Sequence, residues 1–162
     1  MFRQALRSST NATRRLQLLS RSVEPRSRMV SQQPTREKST VGSVYTDKTH
    51  RPFSHYSQAI KAAGHVWLSG QIPADSQGNL ITGSVAEKTQ AIIRNTEAIL
   101  EEAGSSLDRV VKVVVYVKDA SIMPEFSKVY DPAFPQKPAR SMAEVTKLPA
   151  GVDIQVDLIA VV

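Results

Sequence analysis

Residues 109–117, RVVKVVVYV, constrain this chain more than any other segment. β-Branched side chains lose rotamer freedom in a helix and pack well on a pleated surface, so the run predicts a strand. Strand alternation puts Val111, Val113, Val115 and Val117 on one face and Val110, Lys112, Val114 and Tyr116 on the other. Both faces are largely apolar, so the strand belongs inside a sheet and needs cover on both sides. Helices of the same chain can cover one side. The other side requires a second sheet or a partner subunit.

The neighbouring segments supply the helices. Over 85–103, Val85, Thr89, Ile92, Ile93, Thr96, Ile99, Leu100 and Ala103 recur at helical spacing, and Glu87, Lys88, Arg94, Glu97 and Glu101 form a solvated side. Ser84 followed by Glu87 is a capping-box pattern, and Gly104 suits the position just past the helix end. SIMPEFSKVYDPAF, at 121–134, predicts a second helix capped by Ser121, with Pro124 in its first turn and Pro132 limiting its end. Its apolar stripe is Ile122, Phe126, Val129 and Tyr130.

Two further runs, YSQAIKA (56–62) and HVWLSGQI (65–72), flank Ala63-Gly64 and read as a hairpin. STVGSVYT (39–46) reads as an edge strand, ADSQGN (74–79) as a turn, and RSMAEV (140–145) and DIQVDLIAVV (153–162) as the last two strands. Three strands, a helix, a strand, a helix and two strands make an α+β sandwich with both helices on one face of a mixed sheet. The uncovered face points to oligomerisation.

Composition then narrows the chemistry. The chain of 162 residues has no cysteine, which excludes disulfides, thiolate nucleophiles and cysteine zinc sites. His50, His55 and His65 lack metal-ligand spacing, so no metal is expected; His55 and His65 read as solvated or capping groups. No apolar run approaches the ~18 residues of a membrane span. GSVAEKTQ lacks the glycine spacing of a phosphate loop, there is no G-x-S-x-G, and nothing suggests a nicotinamide or flavin site, so no cofactor is expected.

The net charge of +6 is uneven: residues 1–40 carry +7 and residues 41–162 carry −1. A basic arm on a near-neutral body reads as a targeting segment, not a nucleic-acid face. Phe2, Ala5, Ser9, Ala12, Leu16 and Leu19 share a helical face, with Arg3, Arg7 and Arg14 on another. This Arg- and Ser-rich amphipathic pattern is that of a mitochondrial transit peptide, followed by a polar linker. The expected organisation is a transit peptide and linker over 1–40 and one folded domain over 41–162. Initiation at Met29 would leave part of the product in the cytoplasm.

The pieces YSQAI, WLSGQIP, GSSLDRVVKVVVYVKD, KPARS and LPAGVDIQVDLIA, in this order and spacing, resemble the RidA (YjgF-type) family of reactive-intermediate deaminases. The resemblance covers about residues 44–162 and is nearest to the family's fungal mitochondrial matrix-factor branch. It implies a chorismate-mutase-like α+β fold and a homotrimer with clefts between neighbouring subunits. It implies cofactor-free hydrolysis of 2-imino or enamine acids, such as 2-iminobutanoate, to 2-oxo acids and ammonia. It also implies a mitochondrial matrix location, protection of pyridoxal-phosphate enzymes, and links to isoleucine biosynthesis and mitochondrial genome maintenance.

Carried over by position, Arg140 matches the family's cleft arginine, whose planar fork suits a substrate carboxylate. Tyr56 matches the cleft tyrosine, placed by the resemblance in the first conserved strand. Ser69 and Gly70 match the small-residue segment that lines the cleft. Three positions depart from the family: Met142 stands for a cysteine, Ser127 for an asparagine, and Gln155 for the glutamate thought to position or activate water. Alternation places Gln155 and Asp157 on one face and Ile154, Val156 and Leu158 on the other. Glutamine can orient water but cannot take its proton; Asp157 and Glu144 are the carboxylates that could substitute.

Two functions follow. One is a deaminase, with Arg140 and Gln155 in catalysis and Tyr56, Ser69, Gly70, Ser127 and Met142 binding a small imino or oxo acid. The other is a non-catalytic trimer that binds 2-oxo acids or supports a partner. RNA cleavage, a label some family members have carried, is disfavoured because the neutral body lacks a basic stripe with interleaved aromatics.

Overall fold

The valine run sits in the middle of the hydrophobic core. The computed structural model describes residues 40–162; the arm expected before them lies outside the described residues. The elements are β1 (Gly42–Val44), β2 (Ala59–Ala62), β3 (His65–Gln71), α1 (Val85–Glu102), β4 (Val110–Val117), α2 (Met123–Tyr130), β5 (Ala139–Glu144) and β6 (Ile154–Val161). They form one six-stranded sheet in the order β1-β2-β3-β6-β4-β5. β4 and β5 are parallel and every other pair is antiparallel. Both helices pack on one face, over Val66, Leu68, Val113, Val115, Val117, Ile154, Val156 and Leu158. This is the expected mixed-sheet α+β fold.

One detail of β4 corrects the simple alternation. Val110 pairs with Ala160 and Lys112 with Ile159, so Val111 is an extra residue in a β-bulge. The bulge resets the parity. Val110 therefore joins Val113, Val115 and Val117 in the core, while Val111 is exposed.

The local sequence chemistry works largely as read. Ala63 (φ 50°) and Gly64 (φ 75°) are both left-handed, which gives the β2–β3 hairpin a tight two-residue turn. Ser84 and Glu87 form a reciprocal capping box at the start of α1: Ser84 Oγ accepts from the Glu87 N–H, and Glu87 Oε2 accepts from the Ser84 N–H. Lys88 departs from the expected solvated side. Its ammonium lies 2.5 Å from Asp153 Oδ2 and is mostly buried, because the approach to β6 passes beneath that helix turn. α2 is shorter than the expected 121–134, with single 3₁₀ turns at Ala120–Ile122 and Asp131–Ala133 completing the span. Asp119, not Ser121, is the cap: its carboxylate accepts the Ser121 N–H at 2.8 Å.

The opposite sheet face is bare. Trp67 of β3, half exposed, pairs with Ile60 of β2 on one side and Ile159 of β6 on the other. No element among the described residues covers this apolar strip.

Candidate functional site

One cleft of about 410 Å³ opens where β3 and β6 meet the loop before β2. A single buried amide shapes that loop. Gln58 Nε2 donates to Thr46 O (3.0 Å), Thr49 Oγ1 (2.9 Å) and His50 O (3.0 Å), while its Oε1 accepts the Thr46 N–H (2.7 Å). The glutamine of the YSQAI stretch thus acts as a brace, turning the loop so that His50, Phe53 and Tyr56 reach the cleft.

Tyr56 lies in this loop and not in a strand, a correction to the expected 56–62 span. The reason is on β3. Leu68 pairs with Ala59 and Leu158, but Gln71 pairs with Val156, so one residue is extra within Ser69-Gly70. That bulge ends regular pairing with β2 at Ala59, and Ser69 instead sends its hydroxyl to Ser57 O (2.6 Å) and its N–H to Gln58 O (3.0 Å). Tyr56 Oη accepts the Phe53 N–H at 3.1 Å, which holds the ring at the rim, where it is half exposed.

Gln155 forms the cleft floor together with Ser69 and Gly70. As alternation indicates, Gln155 and Asp157 leave the core side to Ile154, Val156 and Leu158. Gln155 Nε2 donates to Asp157 Oδ1 at 3.2 Å. A carboxylate only accepts, so this contact fixes which way the amide faces and leaves Oε1 as the free acceptor. Burial pushes the Asp157 carboxyl up from its ordinary value, partly offset by hydrogen bonds from Gln155 and Tyr116. The other spare carboxylate, Glu144, is engaged elsewhere and accepts the Ala120 N–H at 2.9 Å.

Arg140 is not in this cleft. Register sets Arg140 beside Val113 and Met142 beside Val115, on the helix-bearing side, whereas Gln155 pairs with Tyr116 on the bare side. Arg140 lines a separate pocket of about 310 Å³ with Tyr130, Asp131, Phe134 and Pro138. Its Nη1 lies 2.8 Å from Asp131 Oδ1, and both side chains remain partly exposed. Behind them Phe126, Tyr130 and Phe134 stack at 4.7 and 4.4 Å between ring centres. Burial raises the Tyr130 phenol far above its usual value, with the Arg140 charge opposing. Ser127 is partly buried on α2, where its carbonyl accepts the Asp131 N–H; Met142 is exposed on β5. Neither lines the Tyr56 cleft or the Arg140 pocket.

The sequence reading missed His50 and Phe53, whose rings stack at 4.8 Å in the cleft wall. It also missed Pro149 and Ala150, which line the opposite wall with Ala150 in the left-handed region (φ 53°). His50 and Phe53 lie in an aperiodic loop, and Pro149 and Ala150 in a single irregular 3₁₀ turn, where no spacing rule applies. Among the described residues no helix is long and apolar enough to cross a membrane, and no group of three His, Cys, Asp or Glu could hold a metal ion.

Residues 46–162 match the family model described as Endoribonuclease L-PSP. A RutC family protein of Pyrococcus abyssi is 44% identical over 119 residues, covering 72% of this chain and 94% of that protein. The Saccharomyces cerevisiae protein named "Protein MMF1, mitochondrial" is 41% identical over 123 residues, covering 75% of this chain and 85% of its own. The crystal structure of yeast Mmf1 superposes with a TM-score of 0.74 at 41% identity, covering 75% of this chain and 98% of that one. Escherichia coli TdcF, solved with bound serine, superposes with a TM-score of 0.71 at 27% identity, covering 75% of this chain and 98% of that one.

Proposed function

The chain belongs to the Endoribonuclease L-PSP (RidA/YjgF) family, and from that premise we propose that it is a mitochondrial deaminase hydrolysing small 2-imino acids to 2-oxo acids and ammonia. The observation that carries this reading is a division of labour. The cleft of Tyr56, Ser69, Gly70 and Gln155 holds a water-orienting amide but no lysine or arginine, while Arg140 waits on the other side of the sheet edge. Each half lacks what the other has. A homotrimer built on the bare Trp67 face would bring the guanidinium of one copy to the cleft of the next. The substrate would then be held by its carboxylate on the Arg140 fork, with its C=N carbon over Gln155 Oε1.

Two observations support a small amino-acid-like ligand. The cleft is of the right size, and the E. coli relative TdcF was solved with serine, which carries the same α-carboxylate. The near-neutral body gives no counter-charge for an RNA backbone. The basic arm and the mitochondrial yeast relative support import into the matrix. Protection of pyridoxal-phosphate enzymes, with links to isoleucine supply and mitochondrial genome maintenance, is the role that the family resemblance adds. A second reading, a 2-oxo acid sensor, is favoured by Gln155 standing where the family carries a carboxylate. A threonine dehydratase assay with semicarbazide trapping separates the two. Loss of competing hydrolysis in Arg140→Ala supports the enzyme; identical rates with 2-oxobutanoate still bound by the wild type support the sensor.

A further inference from the structure

The cleft contains a group better suited to proton transfer than Gln155. His50 is 6% exposed and lines the same cleft as Tyr56 and Gln155. Its Nδ1 lies 3.1 Å from the Arg51 carbonyl. A carbonyl can only accept, so Nδ1 carries a hydrogen, and in the neutral form of the ring Nε2 holds the lone pair. That Nε2 has almost no accessible surface and no hydrogen-bond partner among the described residues, so a ligand in the cleft reaches it only once the ring or its stacked neighbour Phe53 shifts. A buried lone pair without a donor is costly in a structural role, since it forfeits water and receives nothing in return. A ligand that brings donors, either a water or the N–H of an iminium, would satisfy it.

We propose that His50 is the proton acceptor and donor of the imine hydrolysis, the role that the amide of Gln155 cannot fill; this rests on the deaminase reading. Water, oriented by Gln155 Oε1, gives a proton to His50 Nε2 as its oxygen bonds to the C=N carbon. The π electrons of the iminium move to nitrogen, giving a neutral carbinolamine. The His50 imidazolium then returns the proton to the amino group. The C–N bond breaks as the hydroxyl oxygen forms the carbonyl, and the hydroxyl proton leaves with ammonia as ammonium. One water enters, one 2-oxo acid and one ammonium leave, and His50 is restored. Tyr56 is the other titratable side chain of the lining, Asp157 stands beyond Gln155, and Arg51, with Tyr45 and Asp47, lines a neighbouring pocket.

The test uses the full chain with 2-iminobutanoate generated by excess threonine dehydratase and semicarbazide as the competing trap. The wild-type rate should fall as pH is lowered from 8 to 5, because a protonated imidazole has no lone pair with which to accept the proton of water. His50→Asn keeps an N–H for the Arg51 carbonyl but has no base. It should lose about 100-fold in kcat at pH 7.5, with KM little changed and the acid limb absent. His50→Gln serves if the asparagine variant melts early, and the wild-type pH profile decides alone if neither folds. A folded variant with the wild-type rate, or a flat wild-type profile from pH 5 to 8, overturns the inference while the deaminase reading stands. A wild type that never outpaces the trap overturns both.

Discussion

A methyl group on Gly70 would stand 2.6 Å from Cδ of Gln155 and 2.9 Å from Oδ1 of Asp157. The bare glycine is therefore what lets the Gln155 amide lie down against the sheet and keep its bond to Asp157. Gly70 is not in the left-handed region, so alanine would be tolerated by the backbone. What it meets first is the flexible end of a side chain. Gly70→Ala should accordingly fold, with a melting temperature within a few degrees of wild type, while Gln155 swings away. The expected loss is about tenfold in kcat for iminobutanoate hydrolysis, read alongside a thermal melt. A variant with full activity would show that Gln155 does not orient the water.

Gln155→Glu places a carboxylate on the cleft floor. Its neighbour is already a carboxyl, since Asp157 lies at hydrogen-bond distance from the residue it replaces. Two carboxyls at that range do not both ionise readily, so one keeps its proton to higher pH. The variant should hydrolyse iminobutanoate faster than wild type, with the gain growing as pH rises from 5 to 8. A flat or lower rate across that range would mean that this branch does not use a carboxylate base at this position.

Arg140→Lys keeps a positive charge but removes the fork. Arg140 now spends one nitrogen on Asp131 and has the rest of its planar edge free. A lysine ammonium would be captured by Asp131 as a point charge and could not also present two parallel donors to a ligand. The expected result is a rise in KM of about tenfold or more with a smaller change in kcat. Asp131→Asn in the same background should recover part of the lost affinity by releasing the ammonium. Unchanged KM in Arg140→Lys would remove the carboxylate clamp from the mechanism.

The pH dependence of stability follows from Asp157. Its carboxyl is raised in the folded state by burial, so the native protein binds the proton more tightly than the unfolded chain does. The contribution is fully present below the unfolded value, near 3.8 for an ordinary aspartate, and is lost as pH rises through the elevated folded value. Asp157→Asn has no proton to lose. Relative to wild type it should therefore gain stability as pH increases from about 3.5 towards neutrality. Thermal melts at matched ionic strength would reveal this; a constant difference between the two proteins at every pH would show that Asp157 is not shifted.

The fold was legible because its signals are periodic. The α1 stripe, the Ser84–Glu87 box, the Ala63-Gly64 turn and the alternation of β6 each depend on neighbours a fixed number of residues apart. Two bulges broke the rule, because an extra residue at Val111 or Ser69-Gly70 changes parity without changing composition. The candidate site was half legible. Tyr56, Ser69, Gly70 and Gln155 do converge on one cleft. Arg140 stands apart because pairing register, not sequence distance, decides the face of a β5 residue. His50 was invisible because its position is set by a long-range brace from Gln58, which no local pattern announces.

The separation of Arg140 from Gln155 makes the strongest demand on the assembly. If the site is built from two copies, a chain lacking the guanidinium still carries a sound cleft, and a chain lacking the cleft amide still carries a sound guanidinium. Arg140→Ala and Gln155→Ala should each lose about tenfold or more in activity alone. Unfolded together at equal amounts and refolded, they should recover about a quarter of wild-type activity, because random assembly around a closed ring gives that share of seams one intact half from each parent. Light scattering would confirm that the mixture is oligomeric. Trp67→Glu, which puts a charge on the bare face between Ile60 and Ile159, should yield folded monomers and abolish both the activity and the complementation. A site contained within one chain would give no recovery on mixing, and Trp67→Glu monomers would remain active.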